Sequence, residues 1–278
     1  EYSYACKKLG IKILPPDINY GEGAFSVDHG NIRYGLTAIK SLGRPVIEAI
    51  IRERNLNGPY RDFKDLVERL SSKEINKRTV ENLIKSGALD CFHVTRKQQM
   101  IVYASVIDSI QKERKNEIAG QMSLMDLLGE EDQQSFQISY PDVGEYEKEQ
   151  KLAMEKEVLG IYVSGHPLED DIERLERSVT AHTSDFVIDE ETGKTKIHDR
   201  ESCIIGGLIS EMSVKLTKKN QNMAFITLED LRGTVEVVVF PRQYATYQSL
   251  LREDAKVFIK GTTQISEEES KVICNQII

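Results

Sequence analysis

Residues 202–216 read "SCIIGGLISEMSVKL", and this stretch decides how the C-terminal third of the chain folds. From about residue 200 the period of the sequence changes to two, the spacing of strands. Four further stretches have strand character: "MAFITLED" (223–230), "TVEVVVF" (234–240), "AKVFIKGTT" (255–263) and "KVICNQI" (271–277). Between the third and fourth lies "PRQYATYQSLLRED" (241–254), which predicts a helix with Pro241 at its start and Tyr244, Tyr247 and Leu251 on one side. Five strands with a helix between the third and fourth make the layout of an OB-fold barrel. Gly206-Gly207, inside the long first strand, predicts the bulge or sharp bend that a closing barrel needs.

Towards the N-terminus the period lengthens. Leu36, Ile39 and Leu42 lie at helical spacing, "GRP" interrupts, and Val46, Ile47, Ile50 and Ile51 resume it behind Pro45. Phe63, Leu66, Val67 and Leu70 form another helix face, and "SSKEINKRTVENLIKSGALDCF" (71–92) repeats the helix-and-turn arrangement. Thr95 is placed to cap a long helix with Met100, Tyr103, Ala104, Ile107 and Ile110 on its apolar side. Residues 116–143 read as a polar loop, yet they enclose "GQMSLMDLL" (120–128), an apolar patch that must be buried at home or meant for another protein. "GEYEKEQKLAMEKEVLGIYV" (144–163) is a charged helix ending near Gly160, and "VSGHPLEDD" (163–171) turns into a further short helix. The expected fold class is thus α+β multidomain: an all-α region of helical hairpins followed by a five-stranded barrel.

A chain of 278 residues has room for about two domains. With 40% hydrophobic and 29% charged residues it has an ordinary globular composition. No apolar run is long enough to cross a bilayer, and "EYSYACKKLG" has no signal-peptide layout. The missing initiator Met suggests an excised fragment. Cys6, Cys91, Cys203 and Cys274 are far apart, as expected of buried reduced thiols in a cytosolic protein. His29, His93, His166, His182 and His198 are isolated, and the acids cluster in solvated runs, so no catalytic or metal set emerges. "GEG" at 21–23 is too short for a nucleotide loop.

The net charge of −8 argues against nucleic acid until it is divided. Residues 33–115 carry 17 Lys and Arg against 10 Asp and Glu, whereas 116–200 carry 8 against 21. Phosphate contact therefore suits the first segment. In "IKSLGRPVIEAI" (39–50) Lys40 and Arg44 flank a Leu42-Gly43 hinge before a helix whose first N–H groups have no partner in the helix. Lys85, Ser86 and Gly87 in "LIKSGALD" (83–90) offer a second such turn. One hairpin alone is better explained by ordinary helix packing. Two inside the single basic segment favour binding to the DNA backbone. In the barrel, Lys215, Lys218, Lys219 and Phe225 have the cations and aromatic face of a single-strand platform, although a Lys-rich hairpin tip is also what solubility alone produces.

Five stretches, "KKLGIKILPPDIN" (7–19), "IRYGLTAIKSLG" (32–43), "INKRTVENLIKSGALD" (75–90), "EKEVLGIYVSGHPL" (155–168) and "MAFITLEDLRGTVEVVVFP" (223–241), resemble in this order the C-terminal half of the bacterial DNA polymerase III alpha family, the C-family replicative polymerases. The resemblance implies that residues 1–35 end the fingers region. It makes 36–175 a tandem helix-hairpin-helix and sliding-clamp-binding region, and 176–278 an OB domain. Clamp-binding segments of this family look like Gln-x-(Ser/Asp)-Leu-Phe followed by Asp-Leu. Here Gln121, Ser123, Leu124, Asp126 and Leu127 match, with Met125 where Phe is usual. The family's first hairpin turn is commonly Gly-apolar-Gly, whereas this chain has Ser41-Leu42-Gly43, so that Ser41 fits the turn if its φ stays negative. The parent would be a DNA-directed DNA polymerase using Mg²⁺ in a palm domain that nothing here resembles. The fragment is then expected to hold no cofactor and to be inactive alone. Its partners would be DNA, the sliding clamp and other replisome subunits, in the cytoplasm and away from any membrane. A stand-alone, non-enzymatic DNA-binding and interaction module is the alternative.

Overall fold

The computed structural model describes residue 6 and residues 9–70, 74–118, 138–189, 193–266 and 269–278. It divides into two compact units, one of Ile11–Gly165 and one that carries His166–Ile278.

The first unit opens with three short strands that no periodicity announces: β1 (Ile13–Leu14), β2 (Ser26–Asp28) and β3 (Asn31–Arg33). They are ordered β1-β3-β2, with β1 parallel and β2 antiparallel to β3. Helices α1 (Arg44–Asn57), α2 (Phe63–Arg69), α3 (Lys77–Lys85), α4 (Arg96–Ile118) and α5 (Lys148–Leu159) follow. The starts of α2, α3 and α4 have a local cause. Asp62 accepts the Asp65 N–H at 2.8 Å and Asn76 accepts the Thr79 N–H at 3.0 Å. Thr95 and Gln98 exchange side chain-to-backbone bonds at 3.2 Å, a capping box. At the other end of α5, Gly160 takes φ +79°. Arg114 on α4 ties down the end of α2 by donating to the carbonyls of Val67 and Leu70 at 2.9 Å, and to that of Glu68.

The helix expected from Leu36 is reduced to a 3-10 turn, Leu36–Ala38. Leu36, Ile39 and Leu42 are buried as their spacing implies, but residues three apart stack on a 3-10 turn as well as on an α-helix. Around them one core gathers Ile18, Ile47, Ile50, Phe63, Leu66, Leu83, Ile107 and Val158.

In the second unit, a 3-10 turn (Glu169–Asp171) leads into α6 (Ile172–Ser178), and the barrel strands follow. They are β4 (Ser202–Leu216), β5 (Asn222–Glu229), β6 (Thr234–Val239), β7 (Lys256–Ile265) and β8 (Ser270–Ile277). The barrel is closed in the order β4-β5-β6-β8-β7. Its closure depends on β4, whose first half, Ser202–Leu208, pairs with β7 and whose second half, from Leu208, pairs with β5. The expected irregularity at Gly206-Gly207 lies three residues later, between Ile209 and Glu211. The two glycines serve close approach instead. A Cβ on Gly207 would lie 2.3 Å from the Glu229 carbonyl oxygen, and one on Gly206 would lie 2.8 Å from both Leu175 and Phe258.

Alternation along β5 turns Ala224, Ile226 and Leu228 inward to meet Val235, Val237, Val239, Ile259 and Val272. Helix α7 (Pro241–Tyr247) follows the third barrel strand as expected, but it ends seven residues early, in turns that still bury Leu251. All four cysteines are free; Cys203 and Cys274 lie in the barrel interior, and Cys6 and Cys91 are half-buried. Burial pushes the Cys203 and Cys274 thiols up to about 11.

Candidate nucleic-acid interface

Between the Leu36–Ala38 turn and α1 the chain reverses over four residues. The Leu42 N–H donates to the Ile39 carbonyl at 3.2 Å, and Ser41 takes φ +62°. Contrary to the expectation of a negative φ, the serine occupies the left-handed position that this turn reserves for glycine. Leu42 points into the core and is 8% exposed, so it anchors the turn and offers nothing to a ligand. What remains outside is Lys40, Ser41, Gly43 and Arg44, all exposed. Among the described residues neither Lys40 nor Arg44 forms an ion pair, and the backbone N–H groups of Gly43 and Arg44 have no acceptor. Pro45 has no N–H to give, and Gly43 caps α1 without a side-chain acceptor. Two donors, the positive end of a 14-residue helix and two uncompensated cations therefore face solvent together.

Position is enforced from elsewhere in the same unit. The Lys40 N–H donates to the Val158 carbonyl at 2.8 Å, and Asn82 Nδ2 donates to the Lys40 carbonyl at 2.8 Å. Arg78 Nη2 reaches the Ser41 hydroxyl at 3.1 Å. Arg78 escapes a reading of the turns alone. Its signal is the pair Lys77-Arg78 in the first turn of α3, where cations oppose the helix dipole and so have no local reason to sit.

The second turn is built differently, and it corrects the expectation for Lys85, Ser86 and Gly87. Ser86 is fully buried and donates to the Leu83 carbonyl at 2.9 Å. Gly87, at φ +81°, lies beneath Arg96, whose Nη2 would be 2.3 Å from an added Cβ. Lys85 is engaged by Glu81 and Glu157, each at 2.9 Å. Burial works against its charge, but these two hydrogen bonds outweigh it and hold the ammonium above its usual pKa. The turn that resembles the first in sequence is closed by residues up to 72 positions away.

On the barrel, β5 turns Phe225 outward, half-buried, opposite Ser213 on β4 and Val238 on β6. Ile273 on β8 continues the row. The Lys215 ammonium sits 4.8 Å from the Phe225 ring centroid. Lys218 and Lys219 are exposed at the hairpin tip, where Thr217 accepts the Asn220 N–H at 2.9 Å and Asn220 takes φ +55°. The four residues thus share one hairpin, with Phe225 on the outer surface. Gln121, Ser123, Leu124, Met125, Asp126 and Leu127 lie outside the described residues. Among the described residues, no cluster of His, Cys, Asp or Glu could hold a metal ion, and no helix is long and apolar enough to cross a membrane.

Residues 10–99 match the helix-hairpin-helix motif, and residues 204–278 match the OB-fold nucleic acid binding domain. The DNA polymerase III subunit alpha of Mycobacterium leprae is 32% identical over 277 residues, covering 100% of this chain and 23% of the relative. That of Borreliella burgdorferi is 33% identical over 281 residues, covering 100% and 24%, and that of Escherichia coli K12 is 34% identical over 263 residues, covering 94% and 22%. Among solved structures, a mitochondrial single-stranded DNA binding protein from S. cerevisiae covers 29% of this chain and 94% of its own at 16% identity, with a TM-score of 0.25. The chain is homologous to DNA polymerase III alpha subunits along essentially its whole length, and it spans less than a quarter of theirs.

Proposed function

We propose that this homologue of DNA polymerase III alpha subunits is the part of a replicative DNA polymerase that holds duplex DNA by its backbone and tethers the enzyme to a sliding clamp. The observation that carries the duplex reading is the first turn, where, among the described residues, Lys40 and Arg44 stay without ion pairs beside the unpaired N–H groups of Gly43 and Arg44. Such a turn grips phosphate without reading bases. Binding is therefore independent of sequence and falls steeply with salt. Labelled duplexes of unrelated sequence, titrated between about 50 and 200 mM salt, test this. Lys40→Glu with Arg44→Glu weakens binding to all of them and flattens the salt slope. A dissociation constant that follows base sequence, or ignores salt, refutes it.

The clamp reading rests on the match at Gln121, Ser123, Leu124, Asp126 and Leu127. Leu124, Met125 and Leu127 fill an apolar pocket on the clamp while Gln121 bonds at its rim. Burying such side chains contributes roughly 1.5–3 kcal/mol each, part of it lost to ordering the segment, which gives micromolar affinity. Gln121→Ala with Leu124→Ala abolishes capture by the clamp and spares DNA binding. If the pair instead lowers the melting temperature, the segment is core. Nucleotide addition and its Mg²⁺ belong, on this reading, to other parts of the parent, so this chain alone extends no primer. The Lys215–Phe225 hairpin is its candidate contact with single-stranded template.

A further inference from the structure

The first turn is held from outside its own hairpin as well as from within. Asn82 and Arg78, four residues apart on one face of α3, both reach across to it, at the Lys40 carbonyl and the Ser41 hydroxyl. Asn82 is fully explained by that bond. Arg78 is not. It is exposed, and among the described residues its guanidinium has no carboxylate partner. The neighbouring Lys77 pairs with Asp108 at 2.7 Å, and Lys85 at the far end of the same helix pairs with two glutamates. A guanidinium has five N–H donors, and the Ser41 hydroxyl takes one. The rest form a planar fork of the kind that receives phosphate oxygens in pairs.

We propose that Arg78 is a phosphate contact of the duplex. The second hairpin then serves the first turn through this face of α3, and its own turn, Lys85–Gly87, touches no DNA. The proposal rests on the duplex reading of the first turn. It makes one phosphate site from two hairpins, where their sequence similarity alone suggests two equivalent sites.

The test is salt-dependent binding of the whole 278-residue chain to labelled duplex DNA. Arg78→Gln lowers affinity severalfold on every duplex and reduces the slope of log affinity against log salt by about one. Arg78→Lys keeps the charge and the slope, and loses affinity with the fork. Lys85→Gln changes neither. If Arg78→Gln leaves the slope intact while Lys40→Glu with Arg44→Glu flattens it, Arg78 is no contact and the duplex reading stands. If none of these changes moves the slope, the duplex reading itself falls. A Lys85→Gln chain that melts normally but loses a unit of slope overturns the assignment of the second turn, and an Arg78→Lys chain without the slope overturns that of Arg78.

Discussion

Arg96 donates from Nη1 to Glu155 Oε1 at 2.9 Å, with the two side chains 1% and 0% exposed. The other carboxylate oxygen accepts the N–H groups of Val163 and Ser164, each at 2.9 Å, and the rest of the guanidinium is divided between Asp90 and the Lys85 carbonyl. A buried pair of this kind contributes little over a well-packed apolar pair, but losing one partner strands the other. Glu155→Ala and Arg96→Ala are each expected to destabilise the chain by about 3–5 kcal/mol. The double variant should cost much less than the sum. Denaturant unfolding of all three checks it, and additive losses would mean that the two residues act independently.

Ser41→Gly should stabilise. A left-handed φ costs a non-glycine residue roughly 1–2 kcal/mol, while glycine gives back about 0.5–1 kcal/mol of that through the freer unfolded chain. The net expectation is a gain of about 0.5–1 kcal/mol, read as a higher urea midpoint with unchanged slope. Ser41→Val should lose stability, because a β-branched side chain tolerates φ +62° worst.

Glu145 lends its carboxylate to the start of α4, accepting the N–H groups of Arg96 and Lys97 at 3.2 Å and that of Tyr146 at 2.9 Å. Burial alone would raise its pKa, but these backbone donors outweigh burial and hold it below the usual carboxylate range. A carboxyl depressed on folding adds stability above its unfolded pKa of about 4.3, and that stability disappears as pH falls through the folded value. Glu145→Gln is therefore expected to be less stable than the parent chain at neutral pH and to converge with it in acid, once the pH is below the folded value. Urea midpoints at the two pH values decide this. A gap that persists in acid assigns the loss to shape rather than charge.

Phe225→Ala should weaken single-stranded DNA by about 1–3 kcal/mol while leaving the barrel folded, since the ring lies outside the core. Lys215 already occupies one face of that ring, so a stacked base must displace it or take the other face. Lys215→Met separates these. Weaker binding with a reduced salt slope marks the ammonium as a phosphate contact, and tighter binding marks it as a competitor for the ring. A fall in melting temperature for Phe225→Ala with unchanged DNA binding would make the residue a packing group.

The barrel was legible because strands such as β5 and β7 carry their own period. Ala224, Ile226 and Leu228 declare their face within three turns of the pleat, whatever they pair with. Short strands such as Ile13–Leu14 and Asn31–Arg33 hold too few residues to show a period at all. The site was half legible for a related reason. "IKSLG" and "LIKSG" look alike along the chain, but their difference lies across it: Glu157 and Arg96 close the second turn, while Arg78 reaches the first from outside its own hairpin. Nothing local to either turn records those visitors. The placing of the glycine pair in β4 failed similarly, because crowding by Glu229 and Phe258 looks in sequence like a bulge signal.

The split partnership of β4 also governs when the barrel can form. Residues 202–208 wait for 256–262, and β6 waits for β8, which runs parallel to it with Val237 opposite Val272. On a ribosome, β4, β5 and β6 emerge as a meander with both outer edges unsatisfied. The β4 edge stays so until β7 has left the tunnel, and the β6 edge until β8 has followed it. Such edges invite pairing with other chains, and non-local closure of this sort is slow. Any truncation that removes Ser270–Ile277 would therefore leave a sheet with an open seam between β6 and β7, prone to oligomerise through exposed backbone.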